Sequence, residues 1–535
     1  MKKRFKPSIA AIALLAALMA GCSNGSGQGE AEPNAPAQTD EARNAANSEE
    51  AGSSAKLSGE PVALSLFYYD KRFQITGDMP VFKKAAELTN VSVQNVAPPG
   101  GEDQQAYNLM LSSGELPDII AYKTADLNTV ALEGALHPLN ELIESHAPNF
   151  NKFLEERPDI KKAITAADGN IYVVPFVQDG TGKEGWFIRK DWLDKLKLAE
   201  PKSVDDYYEA LTAFKEKDPN GNGKKDEIPF FSRNPLIGVY ALLPLWDSFH
   251  DFYLQDGAVH YGPYDPAYKD GMANIAKWYA EGLIDKEIFT RGNTARDVLF
   301  AGNSGGSVHD WFASTSNFNT TMSGSIPGFS LLPIAPPASS SGKVQEVTKR
   351  DTMNGSGWAI SAEAKDAELV MKYLDFWWSA EGRTLFNFGV EDETYTMVDG
   401  KPVFKEEVLK QPSVVDYLIS DYGAQLNIGA WQDFAYEEQW SNKIAIEGIK
   451  LYQDNGYINT EFQLPILSYT AEEQNRLKEI LPPIQTYVSE TSQKWVMGGE
   501  PVEASFNAFR ARLKEMKMDE LLSIYQAAYD RYKNG

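Results

Sequence analysis

Residues 62–67, VALSLF, begin a stretch that decides the fold class. The stretch extends to residue 120. Their apolar side chains alternate with small or polar ones, as in a half-buried strand. DMPVFKKAAEL at residues 78–88 then predicts a helix, because proline is favoured in a first turn and apolar residues recur three and four positions apart. A strand and a second helix follow, and PDII at residues 117–120 completes a β-α-β-α-β pattern. This order indicates an α/β protein with mostly parallel strands.

A helix followed by an acidic loop is predicted further along the chain. Ser203-Val204-Asp205-Asp206 is a capping box, so we expect a helix to begin there. It leads into DPNGNGKKDE at residues 218–227, where oxygen-bearing side chains alternate around two glycines. A strand is expected immediately afterwards, at residues 228–230. Beyond about residue 410 the patterns are chiefly helical.

The 218–227 loop is predicted to bind a structural calcium ion. The candidate ligands are the side chains of Asp218, Asn220, Asn222, Asp226 and Glu227 and the backbone carbonyl of Lys224. Carboxylates and amides in this number suit a hard cation that takes six to eight oxygens. The loop is not an EF-hand, because the position of the closing glutamate holds Pro229. The alternative interpretation is a solvated acidic turn, which the same Asn and Gly content permits.

The N-terminus has the pattern of an exported lipoprotein. Basic residues precede an apolar run at residues 9–20, which is too short to span a membrane comfortably. The run ends in a sequence that resembles a bacterial lipobox, with Cys22, the only cysteine, at the position that becomes lipidated. We therefore predict a signal peptide over residues 1–21 and a lipid anchor on Cys22 that tethers the protein to the membrane.

Composition limits what the rest of the chain can do. Residues 22–59 are predicted to form a disordered tether, because they are rich in small and polar residues and contain few large apolar ones. The formal net charge of −24 argues against nucleic acid as a partner. The remaining residues, about 475, exceed what one hydrophobic core normally supports, so we expect at least two lobes.

Catalytic motifs are weak in this sequence. Five histidines and one cysteine leave little material for a zinc site or a cysteine nucleophile. GNSGG at residues 302–306 fits G-x-S-x-G in form, but it follows a helix-like segment, whereas a nucleophile elbow follows a strand. Glu437 and Glu438 are conceivable glycosidase carboxylates, although adjacent glutamates are usually solvated. We predict no catalytic residue.

Several short segments share one family pattern: SGELPDII at residues 113–120, LNELI at 139–143, DGNIY at 168–172, IRKDWL at 188–193 and the acidic loop. They resemble the solute-binding lipoproteins of bacterial carbohydrate ABC importers, extracellular family 1. The resemblance is to the LplA-like branch that contains calcium-binding alginate-oligosaccharide-binding proteins. It implies a two-lobed periplasmic-binding-protein fold of class II type with a ligand cleft between the lobes.

The same resemblance implies a domain organisation and a function. Residues 60–170 and 340–410 would form the N-terminal lobe, and residues 171–339 and 411–535 the C-terminal lobe with its calcium loop. The protein would be a monomer outside the cytoplasm, anchored to the cell membrane, that captures an oligosaccharide and delivers it to ABC permease subunits. A glycan-binding surface sensor or adhesin without transport is the alternative, and the sugar itself is left open.

Neighbouring aromatic and polar residues mark candidate sugar contacts, because sugar C–H faces stack on aromatic rings while hydroxyls bond to polar groups. Trp311 and Trp431 follow glycine-containing turns and stand, by the resemblance, near positions of cleft tryptophans. Asp433 lies two residues beyond Trp431, and Tyr69 follows the first predicted strand. Each tryptophan could instead be a core residue, as we predict for Trp358.

Overall fold

The computed structural model describes residues 56–98, 102–180 and 182–534. Cys22, the predicted signal peptide and most of the predicted tether lie outside the described residues. The strands are β1 (Val62–Phe67), β2 (Val91–Asn95), β3 (Ile119–Lys123), β4 (Val174–Gln178), β5 (Glu184–Arg189), β6 (Ile228–Phe230), β7 (Phe252–Gln255), β8 (Ala258–Tyr261), β9 (Gly305–Trp311), β10 (Leu331–Ile334), β11 (Met353–Ile360), β12 (Tyr395–Val398), β13 (Lys401–Phe404) and β14 (Trp431–Gln432).

Helices surround the strands and dominate the C-terminal part, as predicted. They are α1 (Pro80–Thr89), α2 (Asp103–Ser113), α3 (Thr124–Leu132), α4 (Asn140–His146), α5 (Pro148–Glu156), α6 (Pro158–Ile164), α7 (Lys190–Leu196), α8 (Val204–Glu216), α9 (Pro235–Tyr240), α10 (Pro266–Ala280), α11 (Ala295–Ala301), α12 (Phe312–Ser316), α13 (Phe318–Met322), α14 (Ala367–Phe376), α15 (Ala380–Phe388), α16 (Glu406–Leu409), α17 (Val414–Tyr417), α18 (Phe434–Trp440), α19 (Lys443–Asp454), α20 (Ala471–Val496), α21 (Val502–Glu515) and α22 (Met518–Asn534). Within the described residues, no helix is both long and apolar enough to cross a membrane.

Local sequence signals account for the ends of several helices. Pro80 occupies the first turn of α1, where its missing N–H leaves no hydrogen bond unmade. The Ser203 side chain accepts a hydrogen bond from the Asp206 backbone N–H, and the Asp206 carboxylate accepts one from the Ser203 N–H, which is the predicted capping box of α8. Gly114 ends α2 in the left-handed conformation, with a φ of 72°.

Two sheets organise the chain. The first has the strand order β14-β4-β11-β3-β1-β2, and the second has the order β10-β5-β9-β6. In the first sheet β1 is parallel to β2 and β3, and β14 is parallel to β4, whereas β11 is antiparallel to both of its neighbours. In the second sheet only β6 and β9 pair in parallel.

The expectation of mostly parallel strands holds for the first sheet, in which β11 alone runs against the other five strands, and it is wrong for the second. The chain path explains the direction of β11. The chain leaves the first sheet at the C-terminal end of β4 and passes to the second sheet. It returns to the first sheet at the same edge, where β11 begins. A strand that enters where its neighbour leaves must run in the opposite direction. Parallel pairing needs a crossover that brings the chain back to the starting edge, and here the second sheet intervenes instead.

Each sheet has its own hydrophobic core. Buried side chains between residues 64 and 177 and between 353 and 436 pack around the first sheet, and those between 186 and 334 and between 445 and 521 pack around the second. Residues 171–177 and 414–436 thus lie beside the first sheet, although the resemblance assigned them to the other lobe, because β4 and β14 pair there. Trp358 is fully buried, as predicted.

Three connections carry the chain between the two cores in the described residues. The first crossing, residues 179–183, joins β4 to β5, and the second crossing, residues 335–352, joins β10 to β11. The third crossing, residues 441–442, joins α18, which packs on the first sheet, to α19, which packs on the second. Two α/β lobes joined by several crossings have the arrangement in which hinge closure around a ligand occurs.

Candidate functional site

Three of the predicted sugar contacts, Tyr69, Trp431 and Asp433, lie at the end of the first sheet where the crossings meet, and Trp311 lies at the end of β9 in the second sheet. β4 and β14 are parallel neighbours, so Gln178 and Gln432 both end at this edge, and antiparallel β11 begins there. The C-terminal ends of β1 and β3 reach the same edge, because β3 is antiparallel to β11. Ligands of α/β folds bind outside the carboxyl ends of strands. In this protein the carboxyl ends of β1, β3, β4 and β14 face the second lobe.

Trp431 begins β14 and is partly buried. Its indole Nε1–H donates to Asp179 Oδ1 in the first crossing at 2.7 Å. The Arg383 guanidinium lies over the ring, with its central carbon 3.3 Å from the ring centre, and the Phe153 ring packs at 4.9 Å, tilted by 57°. The ring is therefore held in place and only part of its surface remains for a ligand.

Trp311 ends β9 and is also partly buried. Its indole Nε1–H donates to Glu184 Oε1 at 2.7 Å, and Glu184 lies directly opposite it on β5. The Arg233 guanidinium carbon lies 4.4 Å from the ring centre, and Lys183 Nζ lies 5.8 Å from it. A cation over an indole face is attracted by the ring electrons, which further restricts the ring.

The two tryptophans share one arrangement at the two ends of the first crossing. Each indole N–H is bound to a carboxylate, and the two carboxylates, Asp179 and Glu184, are five residues apart in the chain. Five residues span at most about 18 Å. Each ring also carries a guanidinium on one face. The structure therefore brings both tryptophans to the junction of the lobes.

The carboxylates beside these tryptophans neutralise the two arginines. Arg383 forms an ion pair with Asp433 and lies 3.9 Å from Asp179. Burial raises the pKa of Asp433, and the Arg383 charge opposes this rise. Asp310, next to Trp311, binds Arg233 through Nε at 2.9 Å and Nη2 at 2.9 Å. The Asp433 carboxylate is therefore engaged by the Arg383 guanidinium in this structure.

Tyr69 is partly exposed at the end of β1 and lines two cavities. The smaller, of about 290 Å³, lies between the Tyr69 segment, Lys123, Ser356 and Asn427. The larger, of about 500 Å³, extends from the same segment along residues 73–78. The lining is rich in polar side chains, as sugar hydroxyls require.

A buried cluster of ionisable side chains next to Trp311 connects the second crossing to β5, β9 and α18. His309 Nε2 lies 2.9 Å from Glu346 Oε2 in the second crossing, and its Nδ1 lies 3.6 Å from Glu184 Oε2. A second buried pair joins Arg350 to Glu437 at 3.4 Å, between the second crossing and α18. These pairs link segments that are distant in sequence at the place where the lobes are joined.

Neither weak catalytic motif forms a catalytic arrangement. Ser304 lies between α11 and β9, and its hydroxyl donates to the Leu299 carbonyl, so the order is helix before strand rather than the reverse. Glu437 is buried against Arg350, whereas Glu438 lies 3.9 Å from Lys450 at the surface. The two glutamates therefore do not face a common substrate.

The acidic loop connects α8 to β6, as predicted, and Asp218 organises its backbone. The Asp218 carboxylate accepts hydrogen bonds from the N–H groups of Gly221, Asn222 and Gly223 at 2.9–3.1 Å. Gly221 and Gly223 both have a φ of 75°, which suits glycine. The Asn220 and Asn222 side chains donate to Asp226. All six predicted ligands therefore belong to one compact loop.

Glu227 is the residue of this loop that points most directly to a cation. It is 7% exposed, and both of its carboxylate oxygens lack a hydrogen-bond partner. Burial raises the pKa of Glu227, and the charges of Asp218 and Asp226 add to the rise. Among the described residues no three acidic, histidine or cysteine side chains form a ready metal cluster. The donor set still fits calcium, since amide and carbonyl oxygens complete such sites.

Several residues of the site escaped prediction from sequence. Asp179 and Glu184 bind the indole N–H groups, and Arg233 and Arg383 cover the rings. His309 joins the second crossing to the start of β5. One local signal was available, because Asp179 directly follows the apolar strand β4. The arginines carry no such signal, since their partners are distant in sequence.

The fold and the sequence together place the chain in a known class. Two α/β lobes joined by crossings, with a helical C-terminal part, form the periplasmic-binding-protein fold. The family model of bacterial extracellular solute-binding proteins matches residues 74–384, which is more than half of the chain. The chain belongs to this family, whose members bind solutes and are not enzymes.

Individual relatives narrow the comparison. A structure of the alginate-binding protein AlgQ2 without calcium ion is 39% identical, with a TM-score of 0.75, and the match covers 89% of this chain and 99% of that one. The fructooligosaccharide ABC transporter substrate-binding protein FusA of Streptococcus pneumoniae serotype 4 (strain ATCC BAA-334 / TIGR4) is 28% identical over 80% of this chain and 82% of its own. Lipoprotein LipO of Bacillus subtilis (strain 168) is 24% identical over 60% of this chain and 65% of its own.

Proposed function

We propose that this protein captures an oligosaccharide between its lobes and delivers it to the permease of an ABC importer. The observation that carries the proposal is the paired arrangement of Trp311 and Trp431 at the two ends of the first crossing. Two of the relatives support it by their names, since AlgQ2 is an alginate-binding protein and FusA is the substrate-binding protein of a fructooligosaccharide ABC transporter. A sensor or adhesin would use the same cleft, and loss of sugar uptake on deletion of the gene distinguishes an importer subunit from these.

The lobes in this proposal follow the two cores. Residues 60–178 with 353–440 form one lobe, and residues 184–334 with 443–534 form the other. Closure about the three crossings would bring Trp311 and Trp431 against the sugar from opposite lobes, with Tyr69 and the Arg383–Asp433 pair contributing polar contacts. Because each indole N–H is already bound, the exposed ring surface supplies the contact. The closed, monomeric protein would then present a defined shape to the permease.

Removal of either tryptophan should weaken sugar binding without unfolding the protein. Trp311→Ala and Trp431→Ala should each reduce affinity about tenfold or more, since a stacking contact contributes on the order of 1–3 kcal/mol. A thermal-shift panel of oligosaccharides first identifies a ligand, and calorimetry then measures its affinity for each variant. Unchanged affinity in both variants would remove these residues from the site.

The matched control is Trp246→Ala. Trp246 is also partly buried, but it packs against Trp278 in the second lobe, with ring centres 5.0 Å apart. This change should cost stability and leave sugar affinity intact. Release of cleaved sugar by the parent protein would overturn the binding function itself.

Calcium is proposed as a structural ion in the acidic loop. Asp218, Asn220, Asn222, Asp226, Glu227 and the Lys224 carbonyl would hold it. The ion would supply positive charge to the buried Glu227 carboxylate and would fix the end of α8 relative to β6. Calcium is named for the relative AlgQ2, whose structure is one without calcium ion, and this supports the proposal. The loop leads into β6, which pairs with the start of β9 at Gly305, whereas Trp311 lies at the other end of β9, so the ion would act on stability and not on sugar contact.

Lipid anchoring is proposed from Cys22 and is supported by the likeness to lipoprotein LipO. The Cys22→Ser variant lacks the thiol that forms the lipid linkage, so it should appear in the soluble fraction or keep its signal peptide. Membrane fractionation and mass determination of the cell-associated protein measure both outcomes. A variant that is cleaved and still membrane-bound would contradict the proposal.

A further inference from the structure

His309 occupies a buried position between a carboxylate of the second crossing and a carboxylate at the start of β5. Its side chain is 3% exposed, with Nε2 2.9 Å from Glu346 Oε2 and Nδ1 3.6 Å from Glu184 Oε2. Glu346 belongs to the second crossing, and Glu184 begins β5 directly after the first. Both nitrogens of the ring can donate only when it is protonated, so the geometry favours the imidazolium.

The cluster extends from His309 to the proposed sugar contact. Glu184 uses its other oxygen, Oε1, to accept the Trp311 indole N–H at 2.7 Å. His309 and Trp311 are two residues apart on β9 and therefore point to the same face of the sheet. Glu346 is itself fixed, because its Oε1 accepts the Thr348 N–H at 2.7 Å. A continuous chain of contacts thus runs from the second crossing through His309 and Glu184 to Trp311.

We propose that the His309 imidazolium is a positioning residue for sugar binding, which joins the second crossing to the start of β5 and orients Trp311 through Glu184. The proposal deepens the proposed function and rests on it. His309 does not touch the sugar. Without its positive charge, Glu184 and Glu346 would face an uncharged ring that can donate through only one nitrogen, and the Trp311 partner would lose its support.

The charges around His309 determine when the imidazolium is present. Burial by itself lowers the pKa of His309, but Glu346, Glu184 and the adjacent Asp310 raise it to about 9. Asp310 is in turn paired with Arg233 and Arg296. The Trp186 ring packs edge-on against His309 from β5 and carries no charge. A raised histidine pKa means that the charged form persists below about pH 9 and is lost as the pH rises through that value.

The test combines a ligand-independent measurement with a binding measurement on the full mature chain. Nuclear magnetic resonance should show one histidine that titrates near pH 9, and the Trp311 indole N–H, assigned with Trp311→Phe, should shift with the same midpoint. His309→Gln should abolish both changes. Glu346→Gln should lower the midpoint, which keeps the test decisive if His309→Gln fails to fold. His260→Gln is the control, since His260 is one-third exposed on β8.

Sugar affinity gives the second measurement. Calorimetry from pH 7 to pH 10, with an alginate oligosaccharide and a fructooligosaccharide as probes, should show affinity about tenfold weaker above pH 9 and a pH-independent, weaker affinity in His309→Gln. A Trp311 resonance that is unaffected by pH and by His309→Gln overturns the proposal even if sugar binds normally. If the Trp311 resonance follows the His309 titration but neither sugar binds, the link between His309 and Trp311 stands and the proposed ligand class is contradicted.

Discussion

Replacement of Asp310 by alanine is expected to lower the free energy of unfolding by about 3–5 kcal/mol, because it removes the carboxylate from a buried ion-pair group. Asp310 is 3% exposed and binds Arg233 through two nitrogens. Arg296 Nη1 lies 3.5 Å from the same carboxylate, and the Trp311 backbone N–H donates to it at 2.8 Å. Chemical denaturation of the parent and the variant measures the difference.

The stability difference should also depend on pH in a defined direction. Burial would raise the pKa of Asp310, but Arg296 and Arg233 outweigh it and hold the pKa below its ordinary value. A lowered carboxyl pKa contributes stability above the ordinary value, about 4, and loses it as the pH falls. The gap between the parent and Asp310→Asn should therefore narrow in acid.

Asp297→Ala is the matched control for Asp310. Asp297 is exposed on α11, so its removal should change stability by less than about 0.5 kcal/mol. An Asp310→Ala variant as stable as this control would mean that the ion pairs of Asp310 with Arg233 and Arg296 do not contribute to the free energy of unfolding. Sugar affinity should fall as well in Asp310→Ala, because Arg233 loses the partner that holds it over Trp311.

Calcium is expected to stabilise the protein strongly. An ion that binds only the folded state adds about 4 kcal/mol when free calcium is a thousand times its dissociation constant. Chelation of the parent protein should therefore lower the melting temperature. The double variant Asp218→Ala with Asp226→Ala should melt at the same temperature with and without chelator, since it lacks two of the carboxylates.

The control for the Asp218→Ala, Asp226→Ala double variant removes two negative charges outside the acidic loop. Asp270→Ala with Asp297→Ala deletes two exposed carboxylates from α10 and α11, and it should keep the full response to chelator. Sugar affinity measured in calcium and in chelator should be equal at a temperature where both forms are folded. If chelator leaves the melting temperature of the parent unchanged, the loop is a solvated acidic turn.

Local features of this protein were determined by the sequence alone. The capping box of α8, the proline at the start of α1 and the strand after the acidic loop follow from hydrogen bonds and dihedral preferences within a few residues. Full burial of Trp358 follows from its place in an apolar run that becomes a central strand. The family could likewise be identified from short segments, because each segment is recognised from its own residues and does not depend on contacts with distant parts of the chain.

Only the tertiary structure decided the direction of β11 and the surroundings of the two tryptophans. Trp431 binds Asp179 and Trp311 binds Glu184 across separations of 252 and 127 residues. Periodicity states which face of an element is buried, but it does not state which distant element covers that face. Arg383 meets Asp433 within one lobe across 50 residues, and His309 meets Glu346 where the second crossing passes β9. No pattern within the sequence could place these partners.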